Sequence, residues 1–489
     1  MYSFLIGVVA LILGYIFYGK FVEKVFAPDP SRIPPSVSKA DGMDYIPMPS
    51  WKIYMIQFLN IAGTGPIFGA LMGAKFGPSS YIWIVLGCIF AGAMHDYLAG
   101  MISLRNGGEG LPDIIGRYLG RKARAVMLVF AMLLMLLVGA VFTSSPAIIL
   151  GEITKDWMPG NPAIVWCIIV FGYYILATLL PISKLIGRIY PVFAVALIFM
   201  AVALMVVLFL KWPSIPEIWT GLSESDLTLK ADSGLVGQNL FPCLFITIAC
   251  GALSGFHATQ SPMMARCMTN EKQGRPIFYG AMITEGVIAL IWAALGSYFV
   301  YGHGFEQLGI AINSSAPLVV EKISIGWLGV VGGILAILGV VAAPITSGDT
   351  SFRTARMILA DFLKVGQKSI PMRLLVSLPV FVVAGFFLYL TVEDNDGFNF
   401  IWRYFMWANQ VLASFTLWAI TVFLYKERKG AYYLMSLLPA CFITSVCVTF
   451  ICIMPIGFGI SAAYTPHIGI LTAVGCAILF AIFHPRRAE

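Results

Sequence analysis

The sequence predicts an all-α, polytopic membrane protein with about thirteen transmembrane helices. Three observations support this fold class. The 489 residues are 59% hydrophobic and only 11% charged, whereas soluble domains carry roughly 25% charged residues. The mean hydropathy is +0.87. Apolar runs of about 20 residues, the length that crosses a bilayer, recur along the whole chain.

The spans are separated by short connections that leave no room for a large soluble domain. The first apolar run, residues 4–18, has no basic segment before it and no small-residue cleavage site after it. We therefore expect a retained helix rather than a signal peptide. The spans are predicted at residues 3–19, 53–75, 80–103, 123–150, 162–182, 189–211, 238–258, 277–300, 326–347, 371–391, 401–425, 432–456 and 466–484.

Charge alternates between successive connections. Lys and Arg concentrate in every second one, for example at Arg117, Arg121 and Lys122, whereas the connection near 395 carries Glu393 and Asp394. The positive-inside rule places the basic connections in the cytoplasm. The N-terminus is then expected outside and the C-terminus in the cytoplasm, as an odd number of spans requires. Because the net charge of +7 lies in these loops, it needs no nucleic-acid partner to explain it.

Spans 2 and 7 are each interrupted by glycine and proline. Residues 61–66 are Ile-Ala-Gly-Thr-Gly-Pro, and residues 250–255 are Cys-Gly-Ala-Leu-Ser-Gly, followed by a polar turn that extends to Pro262. Broken backbone at membrane depth is tolerated only where protein buries it or where it lines a polar cavity. A matched pair of interrupted spans is the best sequence indicator of a transporter's binding site.

The two interrupted spans are five apart, so they cross the membrane in opposite directions. This spacing predicts a LeuT-like 5+5 inverted repeat of spans 2–6 and 7–11, with one helix before and about two after. The alternative is a generic bundle with two kinked helices. The predicted divisions are an N-terminal helix and cytoplasmic loop at 1–51, a first five-helix repeat at 52–211, an external loop at 212–237, a second five-helix repeat at 238–425 and two C-terminal helices at 426–489.

The interruptions predict the substrate site. The N-terminal ends of half-helices direct a partial positive charge at a carboxylate, which favours an anionic or zwitterionic substrate. His257 is either a substrate or pH-gating residue or a partner of freed carbonyls, and Asn409 and Gln410 either contact substrate or bond between helices. The candidate substrate-binding residues are Ala62, Gly63, Thr64, Gly65, Gly251, Ser254, Gly255, His257, Gln260, Asn409 and Gln410.

Few ionisable residues lie within predicted spans, where such groups are costly and commonly functional. His95 and Asp96 are in span 3 and Glu285 is in span 8. Asp96 and Glu285 are expected at similar depth in the inner half of the membrane, facing one cavity. We predict that these three residues couple transport to protons. The alternative is a structural role, with Asp96 bonded to a neighbour and Glu285 capping a kink.

Oxygen-bearing residues at the end of span 9 make Na⁺ the alternative coupling ion. Sodium is a hard cation that binds hydroxyl and carbonyl oxygens. The competing interpretation is a helix end in which Asp349 pairs with Arg353 at i,i+4. No cofactor is predicted. The candidate Na⁺ ligands are Ile61, Thr64, Thr346, Ser347, Asp349 and Thr350.

The nine cysteines lie mostly in apolar runs and show no CxxC spacing. They therefore indicate neither a disulfide framework nor a zinc site, and small apolar packing residues are the simplest interpretation.

Six stretches of the sequence carry a resemblance to a known family. They are Asp41-Gly42-Met43-Asp44-Tyr45-Ile46-Pro47, Ile61-Ala62-Gly63-Thr64-Gly65-Pro66, Gly92-Ala93-Met94-His95-Asp96, Glu285-Gly286 with Ile291-Trp292-Ala293, Asp349-Thr350 with Arg353, and Asn409-Gln410-Val411-Leu412-Ala413. Together they resemble the carbon starvation protein A (CstA) family of membrane transporters, and they cover residues 40 to 425. The resemblance implies a cytoplasmic-membrane transporter of bacterial or archaeal type. It further implies uptake of pyruvate or short peptides when preferred carbon is scarce, and membership of the amino acid–polyamine–cation superfamily. This chain is shorter than the longer family members.

The favoured prediction is an ion-coupled importer of a small carboxylate or peptide, embedded in the lipid bilayer and not an enzyme. An intramembrane enzyme using His95 and Asp96 is one alternative, but it would leave the paired interruptions unexplained. An ion channel is the other, but no pore loop repeated around a symmetric oligomer is visible in the sequence.

Overall fold

The computed structural model describes residues 1–41, 45–179, 182–222, 239–301, 304–310, 314–363, 365, 369–393, 397–428 and 430–483. Most of the predicted external loop at 212–237 and part of the stretch from Asp41 to Pro47 lie outside the described residues. Within the described residues, all regular secondary structure is helical, as expected for a bilayer-spanning chain.

Twenty α-helices follow one another along the described chain. They are α1 (Tyr2–Ile16), α2 (Tyr18–Phe26), α3 (Pro35–Ser38), α4 (Ser50–Ile61), α5 (Gly65–Gly73), α6 (Ser79–Leu86), α7 (Ala93–Arg105), α8 (Leu111–Leu119), α9 (Arg121–Thr154), α10 (Pro162–Leu179), α11 (Ile182–Lys211), α12 (Leu240–Thr247), α13 (Gly255–Ala265), α14 (Gly280–Tyr301), α15 (Gly304–Gln307), α16 (Ala316–Leu363), α17 (Ile370–Glu393), α18 (Gly397–Glu427), α19 (Leu434–Ile453) and α20 (Thr465–Phe483).

Short segments of other helix types join some of these elements. The 3₁₀ segments are Ala74–Phe76, Glu271–Gln273, Ala431–Tyr433 and Ala462–Tyr464, and the π segments are Gly87–Gly92 and Arg275–Tyr279. The first π segment links α6 to α7 and so sets the rotation of α7, which carries His95 and Asp96.

The chain is a multi-pass membrane protein. Within the described residues, ten helices are long and apolar enough to cross a bilayer, or up to eleven when α4 and α5 count as one bent span. The predicted number of about thirteen is not confirmed. The two remaining predicted spans, 162–182 and 238–258, correspond to the shorter apolar helix α10 and to the separate helices α12 and α13.

Both predicted interruptions are present. Helix α4 ends at Ile61, α5 begins at Gly65, and their axes differ by 45°. The second interruption lies between α12 and α13, where Gly251 has φ +89°. The predicted polar turn after it is wrong, since residues 256 to 262 belong to α13.

The interrupted helices lie at the centre of the molecule. Nearly all residues of α5 and α13 are buried. In the most apolar 18 residues of a span, 83% are buried in Ser79–Arg105 and in Glu271–Tyr301, against 22% in Tyr2–Phe26 and 11% in Ala462–Phe483. The protein core therefore surrounds the interruptions, and the first and last spans present apolar side chains outward, as lipid-facing helices do.

Candidate functional site

Four ionisable side chains form one buried cluster beside the second interruption. His95, Asp96, His257 and Glu285 are all 0% exposed. The two oxygens of Asp96 contact two imidazoles, with His95 Nδ1 at 2.8 Å from Oδ1 and His257 Nδ1 at 2.8 Å from Oδ2. The predicted proximity of Asp96 and Glu285 takes the form of two carboxylates at opposite edges of the His257 ring.

The second carboxylate is held by backbone. The Gly251 N–H donates to Glu285 Oε1 at 2.9 Å, while Glu285 Oε2 lies 3.3 Å from His257 Nε2. That pair is within ion-pair distance, but its geometry does not make a hydrogen bond, and neither atom has a hydrogen-bond partner among the described residues. Both atoms therefore retain bonding capacity in a buried position.

Close backbone approaches define the second interruption. A Cβ on Gly251 would lie 2.5 Å from the Ala289 Cβ, and its positive φ is accessible mainly to glycine. The Trp83 indole donates to the Ile248 carbonyl at 2.8 Å, which satisfies one of the acceptors freed by the end of α12.

Asn409 of α18 caps helix α13 from a distant part of the chain. Its Oδ1 accepts from the Phe256 N–H at 2.7 Å, and its Nδ2 donates to Ser254 Oγ at 3.1 Å. The neighbouring Gln410 Nε2 donates to the Phe245 carbonyl at 3.0 Å. Both amides thus bond between helices, while Gln410 Oε1 has no partner among the described residues. Direct contact of either amide with substrate stays a prediction.

The first interruption presents polar side chains of a different kind. Gln57, Asn60 and Thr64 are buried, and both polar atoms of each amide and Oγ1 of Thr64 have no hydrogen-bond partner among the described residues. Gln57 and Asn60 are three residues apart on α4 and so share one face of that helix, and Thr64 lies in the interruption just before α5. Sequence reasoning found Thr64 but missed Gln57 and Asn60, although two amides in an apolar helix just before an interruption were a usable signal.

The two interruptions touch. A Cβ on Gly65 would lie 2.4 Å from Cys250 Sγ. Cys250 was predicted only as a packing residue, yet it also accepts from Asn409 Nδ2 at 3.5 Å. Of the other predicted substrate residues, Gln260 is buried on α13 and its Oε1 has no partner among the described atoms.

The candidate Na⁺ ligands are only partly assembled around the first interruption. Ser347 Oγ donates to the Asn60 carbonyl at 3.3 Å and lies 3.6 Å from a Cβ placed on Gly63. Asp349 Oδ1 instead accepts from Arg353 Nε at 2.8 Å, and Thr350 Oγ1 donates to the Ser347 carbonyl at 2.9 Å within its own helix.

Comparison with known families identifies the group to which this chain is related. The model of the family described as carbon starvation protein CstA matches residues 1–158, 147–324 and 316–451. The chain belongs to the CstA family. The resemblance carried by the six sequence stretches is thereby confirmed.

Two curated relatives are similar to most of the chain. It is 27% identical to the "Peptide transporter CstA" of Escherichia coli strain K12 in an alignment that covers 88% of this chain and 77% of that protein. It is 46% identical over 342 residues to an "Uncharacterized membrane protein" of Haemophilus influenzae, which covers 61% of this chain and 91% of that protein.

Solved structures with the same fold are transporters. A Na⁺-coupled sialic acid symporter matches with TM-score 0.51 and 15% identity, covering 100% of this chain and 98% of that one. A manganese transporter of Eremococcus coleocola matches with TM-score 0.57 and 11% identity, covering 91% and 98%. At these identities the likeness concerns the fold alone.

Proposed function

We propose that this chain is an ion-coupled secondary active transporter that imports a small carboxylate or peptide, such as pyruvate or a di- or tripeptide, across the cytoplasmic membrane during carbon starvation. The observation that carries the proposal is the meeting of two interrupted transmembrane helices, Gly65 against Cys250, beside buried polar atoms that have no partner among the described residues. Unpartnered buried polar atoms are costly unless a ligand or water satisfies them.

The proposed architecture is the LeuT-like 5+5 inverted repeat of spans 2–6 and 7–11 in a chain of about thirteen spans. Corresponding elements of the two proposed repeats support it. Each repeat opens with an interrupted helix, and the helix that follows carries a buried carboxylate, Asp96 or Glu285. The third helices, α9 and α16, pack so closely that a Cβ on Gly139 would lie 2.4 Å from the Phe352 ring.

The proposed site brings together the first interruption, with Gln57, Asn60 and Thr64, and the second, with Ser254 and its helix α13. The orientation, with the N-terminus outside and the C-terminus in the cytoplasm, follows from the distribution of Lys and Arg. The coupling ion in this proposal is H⁺, with Na⁺ as the alternative. The salt bridge of Asp349 with Arg353 favours H⁺, because it engages the one carboxylate of the candidate Na⁺ set.

Uptake by purified protein in liposomes tests the proposal. Labelled pyruvate and labelled dipeptides should each be offered under an imposed proton gradient, an imposed sodium gradient and neither. We expect one of the two substrate classes to accumulate, and to do so under a proton gradient without sodium. Accumulation driven by sodium alone would mean that Na⁺ rather than H⁺ is the coupling ion. If no small carboxylate or peptide is taken up in a gradient-dependent way, the transporter proposal is refuted.

A surface variant controls for reconstitution. Arg117 lies on the short helix α8 and forms an exposed ion pair with Glu109. Arg117→Ala should transport like the unmodified protein, because exposed ion pairs contribute little to stability.

A further inference from the structure

Three side chains converge beside the second interruption: one within it, one on the helix that follows it and one on the next long helix. One ligand atom each from Cys250, His257 and Glu285 lies within 4.8 Å of the other two. All three residues are buried, with exposures of 5%, 0% and 0%. The sequence gives no hint of this group, because Glu285 comes from the following helix α14 and the spacing matches no familiar metal motif.

Each of the three side chains is oriented by a second group. Asp96 Oδ2 lies 2.8 Å from His257 Nδ1, the Gly251 N–H donates to Glu285 Oε1 at 2.9 Å, and Asn409 Nδ2 donates to Cys250 Sγ at 3.5 Å. A histidine that ligates a metal almost always donates its other ring N–H to a carboxylate or carbonyl, which fixes its tautomer. The Asp96–His257 pair has this arrangement and leaves Nε2 as the ligating atom.

The two ligand atoms of His257 and Glu285 that these groups do not engage face each other without forming a hydrogen bond. His257 Nε2 and Glu285 Oε2 are 3.3 Å apart, fully buried, and have no hydrogen-bond partner among the described residues. When His257 donates its Nδ1–H to Asp96, Nε2 carries a lone pair and faces the Glu285 oxygen as a second acceptor. A bound cation would convert that unfavourable contact into two coordinate bonds.

We propose that Cys250 Sγ, His257 Nε2 and Glu285 Oε2 bind a divalent transition-metal ion of the zinc class. Thiolate and imidazole select Zn²⁺ and its neighbours over Mg²⁺ and Ca²⁺, which prefer oxygen ligands. Three protein ligands leave one position of a tetrahedral ion open for water or a ligand group, as in non-structural zinc sites. Because Cys250 contacts Gly65, the ion lies where the two interrupted helices meet. The proposal goes beyond transport, and its test does not depend on the transported substrate.

Cobalt substitution tests the site directly. The protein in nanodiscs is stripped with a chelator and titrated with Co²⁺, whose near-ultraviolet spectrum shows a sulfur-to-metal charge-transfer band only when a thiolate is a ligand. We expect this band to saturate at about one ion per chain and to be displaced by Zn²⁺. Absence of the band in the unmodified protein, or Co²⁺ bound without it, would overturn the proposal.

Two cysteine variants locate the thiolate. Cys250→Ser should abolish the band, whereas Cys447→Ser, a buried cysteine on α19, should retain it. A band that survives in Cys250→Ser places the thiolate elsewhere and refutes the site. Since Cys250→Ser could fail to fold, the thermal unfolding of each variant is also measured with and without Zn²⁺. The ion should raise the Tm of the unmodified protein and of Cys447→Ser but not of Cys250→Ser.

A third variant tests the positioning role of Asp96. Asp96→Asn keeps all three proposed ligands but removes the carboxylate behind His257. We expect Co²⁺ affinity to fall about 10–100-fold while the charge-transfer band remains, as is typical of losing an outer-shell partner. Unchanged affinity would contradict the assignment of His257 Nε2 as a ligand held by Asp96.

Discussion

The two interrupted helices differ in how the buried polar groups around each interruption are hydrogen-bonded. Around the second interruption the polar groups largely bond to protein: Asn409 caps α13 through the Phe256 N–H, and the Gly251 N–H donates to Glu285. Around the first, the amides of Gln57 and Asn60 are equally buried but have no partner among the described residues. Apart from the proposed metal ligands His257 and Glu285, the second interruption is therefore held by bonds within the protein, whereas the first leaves whole amides available to a ligand.

The two interruptions should differ most in how strongly a glycine-to-alanine substitution destabilises the protein. A Cβ on Gly255 would lie 2.2 Å from the Ala413 backbone N and 2.4 Å from the Asn409 carbonyl O, and backbone cannot move aside cheaply. Gly255→Ala should lower the free energy of unfolding by about 3 kcal/mol or more. Thermal melting of the purified variant, or loss of a monodisperse peak in size-exclusion chromatography, measures this.

Gly63→Ala in the first interruption is the matched control. A Cβ there would make ordinary contacts, at 3.6 Å from the Phe142 ring and 3.6 Å from Ser347 Oγ. Gly63→Ala should lower the free energy of unfolding by less than about 1 kcal/mol. Equal destabilisation by the two alanines would mean that the two interruptions are equally rigid.

Removing one amide from each region gives opposite results for stability. Asn409→Leu leaves the buried Phe256 N–H without its acceptor, so it should destabilise the fold by about 1–3 kcal/mol. Asn60→Leu removes an amide without a partner among the described residues and should be neutral or stabilising by up to about 1 kcal/mol.

The same two amide substitutions should also differ in their effect on the affinity for the transported substrate. Once normalised to folded protein, Asn60→Leu should lose at least about tenfold in substrate affinity, which corresponds to about 1.4 kcal/mol. Asn60→Leu with full affinity and unchanged stability would remove the first interruption from the proposed substrate site.

The parts of this architecture that depend on local chemistry could be predicted from sequence. Glycine and proline interrupt helices wherever they occur in such density, so residues 61–66 and 250–255 were identifiable without a structure. The restart of the helix at Gly255 was not, because the group that caps it, Asn409, lies more than 150 residues away in the chain. The turn was therefore extended wrongly towards Pro262.

The sequence also could not predict which side chains of different helices come together. Asp96 and Glu285 were identifiable because ionisable groups in apolar spans are rare. That both contact one imidazole, and that Cys250 joins them, depends on how α7, α13 and α14 pack. Gln57 and Asn60 could have been listed as candidates from their position just before an interruption, but only tertiary structure shows that their amides have no partner among the described residues.

Hydroxyl deletions should give the smallest and most specific difference between the two regions. Thr64→Val is isosteric and removes an Oγ1 that has no partner among the described residues, whereas Ser254→Ala removes an Oγ bonded to Asn409. Thr64→Val should leave the Tm nearly unchanged and raise the KM for the transported substrate by less than about tenfold, the size of one hydrogen bond. Ser254→Ala should lower stability by about 1 kcal/mol with a smaller change in KM. If Thr64→Val instead destabilised the protein as much as Ser254→Ala, its hydroxyl would be satisfied inside the fold, and the contrast between an available first interruption and a bonded second one would no longer hold.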